Sequence, residues 1–379
     1  MLIRLKTVTR VSACGAVVAA ALLVSAPASI GARTQQTTPA LSLPAKLADA
    51  EFWKLASDVS EPGGFFRITD NYTSNENEIG QIFTMLRAQG KRGGVYIGVG
   101  PEQNLTYIAA IAPAMAFVID IRRQAVMQHL MFKAMVEMAK DRAGFISLLF
   151  AKPRPAGLDA TTPIQRLWEA FFAVGVDPAL AAKTKTQVVE RLTKTHGFAF
   201  TENETWQLNS VIDAFVQFGP GITTRGSAGR GGGGNSVGFA DLTGWSVDHT
   251  NTPQSFLSTE EHFQIVKALH DKNLIVPVSG DFGGPRALRA IGAYLRERGG
   301  TVTAFYVSNV EQYLFQDRKE GAFYDNVASL PINDTSVFIR PYSMRRYGSA
   351  PTLCGIGTFL KGVQAGRVPT YNDSLACTP

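Results

Sequence analysis

Residues 93–123, GGVYIGVGPEQNLTYIAAIAPAMAFVIDIRR, constrain this chain more than any other stretch. A short apolar run, Val95-Tyr96-Ile97, enters Gly98-Val99-Gly100, and Pro101 and Glu102 then open a helical pattern that runs to about Ala112. Proline suits the first turn of a helix because its missing N–H needs no partner there. After Pro113 a second apolar run, 116–119, ends on Asp120. Strand, glycine turn, helix, strand, acid is the layout of a nucleotide-binding βαβ unit. Gly98 and Gly100 let the backbone pass close to a ligand, because no Cβ stands in the way. The N–H groups that open the helix at Gln103 and Asn104 face the same crevice, and Asp120 can accept hydrogen bonds from two ribose hydroxyls. Gln103 stands where the dinucleotide fingerprint wants a third small residue, which argues against NAD or FAD. Adenosyl cofactors carry no pyrophosphate and tolerate the change better. The other reading of the same glycines is a structural turn in a doubly wound sheet.

The rest of the chain extends this unit. Residues 47–59 and 79–88 have helical spacing, with Ile79, Ile82, Phe83 and Leu86 on one face of the second. Between them lies a polar cluster containing Asn71, Ser74, Asn75 and Glu76. Thr73 with Glu76, or Asn75 with Glu78, would make a helix capping box; the alternative is that the cluster folds over the crevice. Residues 124–140 read as a helix in which Met127, Met131, Met135 and Met138 form a core-filling stripe. Residues 145–150 read as a third buried strand. The stretch 152–252 breaks the alternation with three helical patterns and a Gly-rich loop at 225–238. That loop lacks the Lys-Ser/Thr ending of a P-loop, which excludes an NTPase of that type. Strands at 274–278 and 301–307, with a late one at 336–340, resume the alternation. The expectation is an α/β fold: an open, mostly parallel doubly wound sheet with a helical insertion after the third strand. Gly98, Gly100, Asp120 and Asp281 would all fall at carboxyl ends of strands, where such sheets bind ligands.

Arg122 and Arg123 follow Asp120 directly. They are either ordinary surface arginines, or one of them turns inward to pair with Asp120 or Glu102 or to bind an anionic ligand.

Residues 1–32 have the plan of a targeting segment: Arg4, Lys6 and Arg10, then an Ala/Val/Leu run at 11–24, then small residues. The run is short for a membrane span of about 20 residues, so the expectation is an exported chain, periplasmic or secreted, with an uncleaved inner-membrane anchor as the alternative. Residues 33–46 read as a linker and 47–379 as one α/β domain. Those three cations are half of the net charge of +6, and what remains is too mild to imply nucleic acid. Beyond the leader only Cys354 and Cys377 are left; they either pair or stay as two thiols, and without a Cys-x-x-Cys neighbour no metal site is expected.

The glycine turn, Asp120 after the second strand and the acidic turn Ser279-Gly280-Asp281 resemble class I S-adenosylmethionine-dependent methyltransferases, which have a Rossmann-like sheet. More narrowly, Asn71-Tyr72, Ser74-Asn75-Glu76, the run from Tyr96 to Asn104 and Asp120-Ile121-Arg122-Arg123 resemble an uncharacterised exported bacterial family with that fold. The resemblance implies S-adenosylmethionine as cofactor. Gly98 and Gly100 would pack against its methionine part, Gln103 and Asn104 would also contact the cofactor, Asp120 would hold the ribose, and Asp281 or Glu102 would act as base. Asn71, Ser74, Asn75, Glu76, Arg122 and Arg123 would form a substrate or lid shell. One departure is plain: Tyr96 stands where that class usually has an acidic residue. Two functions follow, a methyltransferase or an exported non-catalytic domain that binds another small ligand or a protein partner.

Overall fold

Five runs rich in β-branched and aromatic residues bury almost every position, as strands covered on both faces must. They are β1 (Val95–Val99), β2 (Met115–Asp120), β3 (Ile275–Ser279), β4 (Val302–Tyr306) and β5 (Val337–Ile339). With β6 (Leu353–Gly355) they form a six-stranded sheet in the order β3-β2-β1-β4-β5-β6. All pairings are parallel except β5 with β6, which is antiparallel. The computed structural model describes residues 42–67, 70–76, 78–226, 237–340 and 353–377. The targeting segment, most of the 33–46 linker and most of the Gly-rich loop lie outside the described residues.

Helices cover the sheet. In chain order α1 (Asp49–Val59) and α2 (Ile79–Ala88) precede β1, and α3 (Gln103–Ile111) joins β1 to β2. Between β2 and β3 come α4 (Arg123–Met138), α5 (Arg142–Phe150), α6 (Ile164–Phe172), α7 (Pro178–Glu190), α8 (Glu202–Phe218), α9 (Phe239–Gly244) and α10 (Glu260–Asp271). Then α11 (Ala287–Glu297) joins β3 to β4, α12 (Val310–Gln316) and α13 (Glu320–Ala328) join β4 to β5, and α14 (Ile356–Gln364) and α15 (Tyr371–Leu375) close the chain.

The expected third strand at 145–150 is wrong: those residues belong to α5. An unbroken apolar run cannot tell a buried strand from a buried helix. Here local signals decide. Asp141 caps the helix by accepting from Gly144 N at 2.8 Å, and Ala151 ends it in the left-handed conformation with φ of 49°. The run is apolar all round because Phe145 and Phe150 sit in an aromatic cluster with Phe132, Trp168, Phe215 and Phe239. The helical block therefore follows the second strand, not the third, and begins at α4 rather than near residue 152. Met127, Met131 and Met135 are fully buried and Met138 packs against the core, so the methionine stripe fills the interior.

The strand order reverses beside β1: β2 and β3 lie on one side, β4 and β5 on the other. At such a switch point the connecting helices leave in opposite directions and open a crevice above the carboxyl ends of the strands. Here the crevice lies past Val99 of β1 and Tyr306 of β4.

Cys354 on β6 and Cys377 are joined in a disulfide, with Cα atoms 5.1 Å apart. The bond ties the segment carrying α15 to the sheet edge. Closing a loop of this size removes about 2–4 kcal/mol worth of unfolded-state freedom. Cys354→Ser is expected to lower stability by about that amount. In limited proteolysis, cleavage should begin in the segment after α14 while β1 to β4 stay protected; equal stability of the variant would show that the bond is dispensable.

Candidate functional site at the sheet switch point

The turn after β1 is built from its own side chains. An ideal Cβ on Gly98 would lie 2.0 Å from Asn104 Oδ1 and 2.5 Å from the Tyr96 hydroxyl, so nothing larger than glycine fits. Tyr96 donates to Asn104 Oδ1 at 2.8 Å. Asn104 Nδ2 donates to the carbonyls of Val99, Gly100 and Pro101 at 3.0, 3.1 and 2.7 Å. Gly98 thus makes room for the protein's own amide. Gly100 differs: its φ is +80°, and a Cβ there would meet only Gln103 Nε2 at 3.3 Å and Asn71 Nδ2 at 3.9 Å. Gln103 donates through Nε2 to Val99 O at 3.1 Å, while its buried Oε1 has no hydrogen-bond partner.

Asp120 ends β2 as the pattern requires, but it is engaged. Arg122 donates from its backbone N and Nε to Oδ1 at 2.9 and 3.0 Å and from Nη2 to Oδ2 at 2.8 Å. The pair is largely buried, so the inward reading of Arg122 is the one observed. Its neighbour Arg123 turns the other way, donating through Nε to Glu204 Oε1 at 2.6 Å and lying over the Trp53 ring.

The polar cluster before α2 lies against this crevice. No side chain caps α2, whose N-cap is Glu78, so neither capping box forms. Instead Ser74 N donates to both oxygens of Glu102 at 3.1 Å, and Ser74 Oγ accepts from Glu76 N at 3.1 Å. Glu76 Oε1 accepts from the Tyr306 hydroxyl at 2.7 Å and Ser308 Oγ at 2.8 Å. Burial pushes the Glu76 carboxyl up from its ordinary value, against the pull of those two donors. Glu102 is 1 % exposed, and burial pushes its carboxyl up to about 8 although the Ser74 N–H favours the charge. Glu102 is enclosed behind the cluster and does not reach the crevice. Asp281 does: Lys319 Nζ donates to Oδ2 at 2.8 Å and Gly283 N to Oδ1 at 2.9 Å.

A pocket of about 240 Å³ occupies the crevice. Of the residues singled out in the sequence, Asn71, Ser74, Asn75, Gly100, Gln103, Asp120, Arg122 and Asp281 line it. Gly98, Asn104, Glu102, Glu76 and Arg123 do not. Tyr306, Ser308, Tyr313 and Lys319 line it too and were missed. Position was the only available signal for the first two, since they end β4 as Gly100 ends β1. His129 on α4 packs behind the Gly100 turn and does not line the pocket. Its Nε2 lies 2.8 Å from Gly100 O, and burial pushes the imidazole below its ordinary range. The ring is therefore neutral at pH 7, and Nε2 carries the proton because a carbonyl can only accept.

These features define an α/β protein with a mostly parallel sheet and a small polar pocket at its switch point. The profile of a family described as a domain of unknown function (DUF7790) matches residues 72–160 and 245–364, more than half of the chain, and the chain belongs to that family. No curated protein matches it.

The Glu102 carboxyl gives a pH signature. From about pH 4.5 to 8 the native state holds a proton that the unfolded chain has released, so this group's contribution to stability falls as pH rises. Glu102→Gln removes that dependence. In urea unfolding, wild-type stability measured relative to the variant should fall by about 1.4 kcal/mol per pH unit across this window. Parallel pH profiles would show that Glu102 is ionised in the folded protein.

Proposed function

We propose that this chain has a class I S-adenosylmethionine-dependent methyltransferase-like, Rossmann-like fold and that the switch-point pocket receives the cofactor. The observation that carries the reading is the meeting of the Gly100 turn, Asp120 and a pocket at the carboxyl ends of β1, β2 and β4. A sheet order of 3-2-1-4-5-6 supports it, because that is the order of doubly wound nucleotide-binding sheets. In this reading Arg122 leaves Asp120 when the ribose hydroxyls arrive, and Gly100 and Gln103 border the amino-acid end. Methyl transfer is an in-line displacement. The bound cofactor would supply an electrophilic methyl group, and the protein's part would be mostly positioning donor and acceptor. In this reading Asp281, in the pocket wall, takes the acceptor's proton. Glu102, shut behind Ser74, positions the polar cluster and is not the base.

A second reading rests on a specific observation: both Asp120 oxygens already hold Arg122. The pocket also falls below the about 300–1,000 Å³ of sites for drug-sized ligands. Both facts favour an exported, non-catalytic domain that binds a smaller ligand or a protein partner. The Cys354–Cys377 disulfide supports export, because such bonds persist in oxidising compartments.

Calorimetry with S-adenosylmethionine and its demethylated product separates the two. On the first reading the product binds, Asp120→Asn weakens it about tenfold or more, and Arg122→Ala tightens it by freeing the carboxylate. Absence of binding by either compound at millimolar concentration, in folded wild type and in Arg122→Ala, discards the methyltransferase and leaves the second reading.

A further inference from the structure

A larger groove of about 770 Å³ lies beside the switch-point pocket. Four segments wall it: the start of α4 with Arg122, Arg123 and Gln124, the start of α8 with Asn203, Glu204 and Gln207, the strap 61–66 that leaves α1, and Arg286 at the N-cap of α11. The strap is tied to the sheet, with Glu61 N donating to Ser279 O and Gly64 N to Ile121 O, both at 2.7 Å. Arg122, Phe65 and Phe66 border both cavities, so the strap and Arg122 form the partition between them.

The groove's acids are spent, as is Arg122 on Asp120, while Arg123 and Arg286 keep donors open. Glu61 accepts from the backbone N of Arg286 and Ala287 at 2.9 Å and of Asp281 at 3.2 Å, which caps α11. Glu204 accepts from Thr201 N at 2.8 Å, Thr201 Oγ1 at 2.9 Å and Arg123 Nε. Arg123 uses only Nε in hydrogen bonding; its guanidinium carbon is 5.8 Å from the Trp53 ring centroid, and its two Nη groups have no partner among the described residues. The exposed Arg286 guanidinium has none either. A guanidinium aimed by one carboxylate and one aromatic face, with its terminal N–H groups open, is set to take an oxyanion as a two-pronged partner. Phe65, 83 % exposed at the rim, adds an apolar surface beside these donors.

We propose that this groove binds an organic oxyanion: a carboxylate or phosphate held by Arg123 and Arg286, on an apolar or aromatic body that lies against Phe65. The donors invoked, Arg123 and Arg286, lie outside the lining of the switch-point pocket, although the two cavities share Arg122 and the strap as a wall.

Calorimetry on the full disulfide-bonded protein with phenyl phosphate, benzoate and inorganic phosphate tests this. Binding of an aromatic oxyanion is expected, and comparison of phenyl phosphate with benzoate tells which head group is preferred. Arg286→Gln removes a side chain without partners, so the fold is retained, and affinity should fall several-fold. Arg123→Gln with Arg286→Gln should weaken it by about tenfold or more, whereas Arg166→Gln, in a surface ion pair elsewhere, should change nothing. Phe65→Ala should weaken the aromatic probes and leave inorganic phosphate unchanged. The proposal is overturned if no probe binds folded wild type at about 10 mM, or if Arg286→Gln and the double variant bind as wild type does.

Discussion

The site rests on the side-chain amide of Asn104. It satisfies three successive carbonyls of the turn and accepts the Tyr96 hydroxyl, all in a fully buried position. Each of those groups, left unpaired, would cost about 1–3 kcal/mol. The amide therefore holds β1, the turn and the start of α3 as one unit, and Gly98 is needed so that it can approach. A further consequence concerns ligands. The carbonyls of the turn face inward, toward Asn104 and His129, and what the turn shows to the pocket is the open side of Gly100.

Much of this architecture was legible in the sequence, and the failures have physical causes. The 31 residues from Gly93 to Arg123 gave strand, turn, helix, strand and acid in their observed places, because buried parallel strands leave near-continuous apolar runs bounded by glycine and proline. The helix at 79–88 fell on its observed bounds. The same apolar signal misled at 145–150, where a helix buried on every side has no polar face to show its period. At the site, the sequence marked Gly100, Asp120, Asn71, Ser74 and Asp281, all of which border the pocket. It could not show that Gly98 is filled from within, nor that Glu102 is walled off, because both depend on where α3 and the polar cluster place their side chains. Tyr306 and Ser308 carry no local motif and become visible only when β4 is known to neighbour β1.

The pairing of Asp120 with Arg122 is local. Backbone N and guanidinium of one residue both reach the carboxylate two positions earlier, so the pair needs no distant element to assemble it. Such a pair is weak evidence for stability, since desolvation offsets much of its attraction. It sets the state of the site instead. With Arg122 in place, the two acceptors that a ribose would use are occupied, and the guanidinium forms part of the wall between pocket and groove. Any ligand that displaces Arg122 also alters that wall, which couples the two cavities through a single side chain.

The cavities differ in where their walls come from. The turn after β1, the end of β2 and the end of β4 lie within the stretches matched by the family profile, and they build most of the switch-point pocket. The outer groove takes one wall from α8 and another from the strap, and both lie outside those stretches. The α8 wall is nevertheless firmly placed. Burial would raise the Glu137 carboxyl on α4, but hydrogen bonds from His196, Lys133 and Arg191 outweigh it and hold the group well below the usual carboxylate range. His196 also reaches Asp49 of α1 at 2.7 Å, and Lys133 reaches Asn273 ahead of β3. A buried charge this fully partnered is costly to break, so the segment leading into α8 is held to α1, α4 and the sheet together. Glu204 at the start of α8 is thereby brought to Arg123, and Arg123 is aimed into the groove. The pocket follows from the order of the sheet, and the groove follows from how the chain fastens its helical block to that sheet.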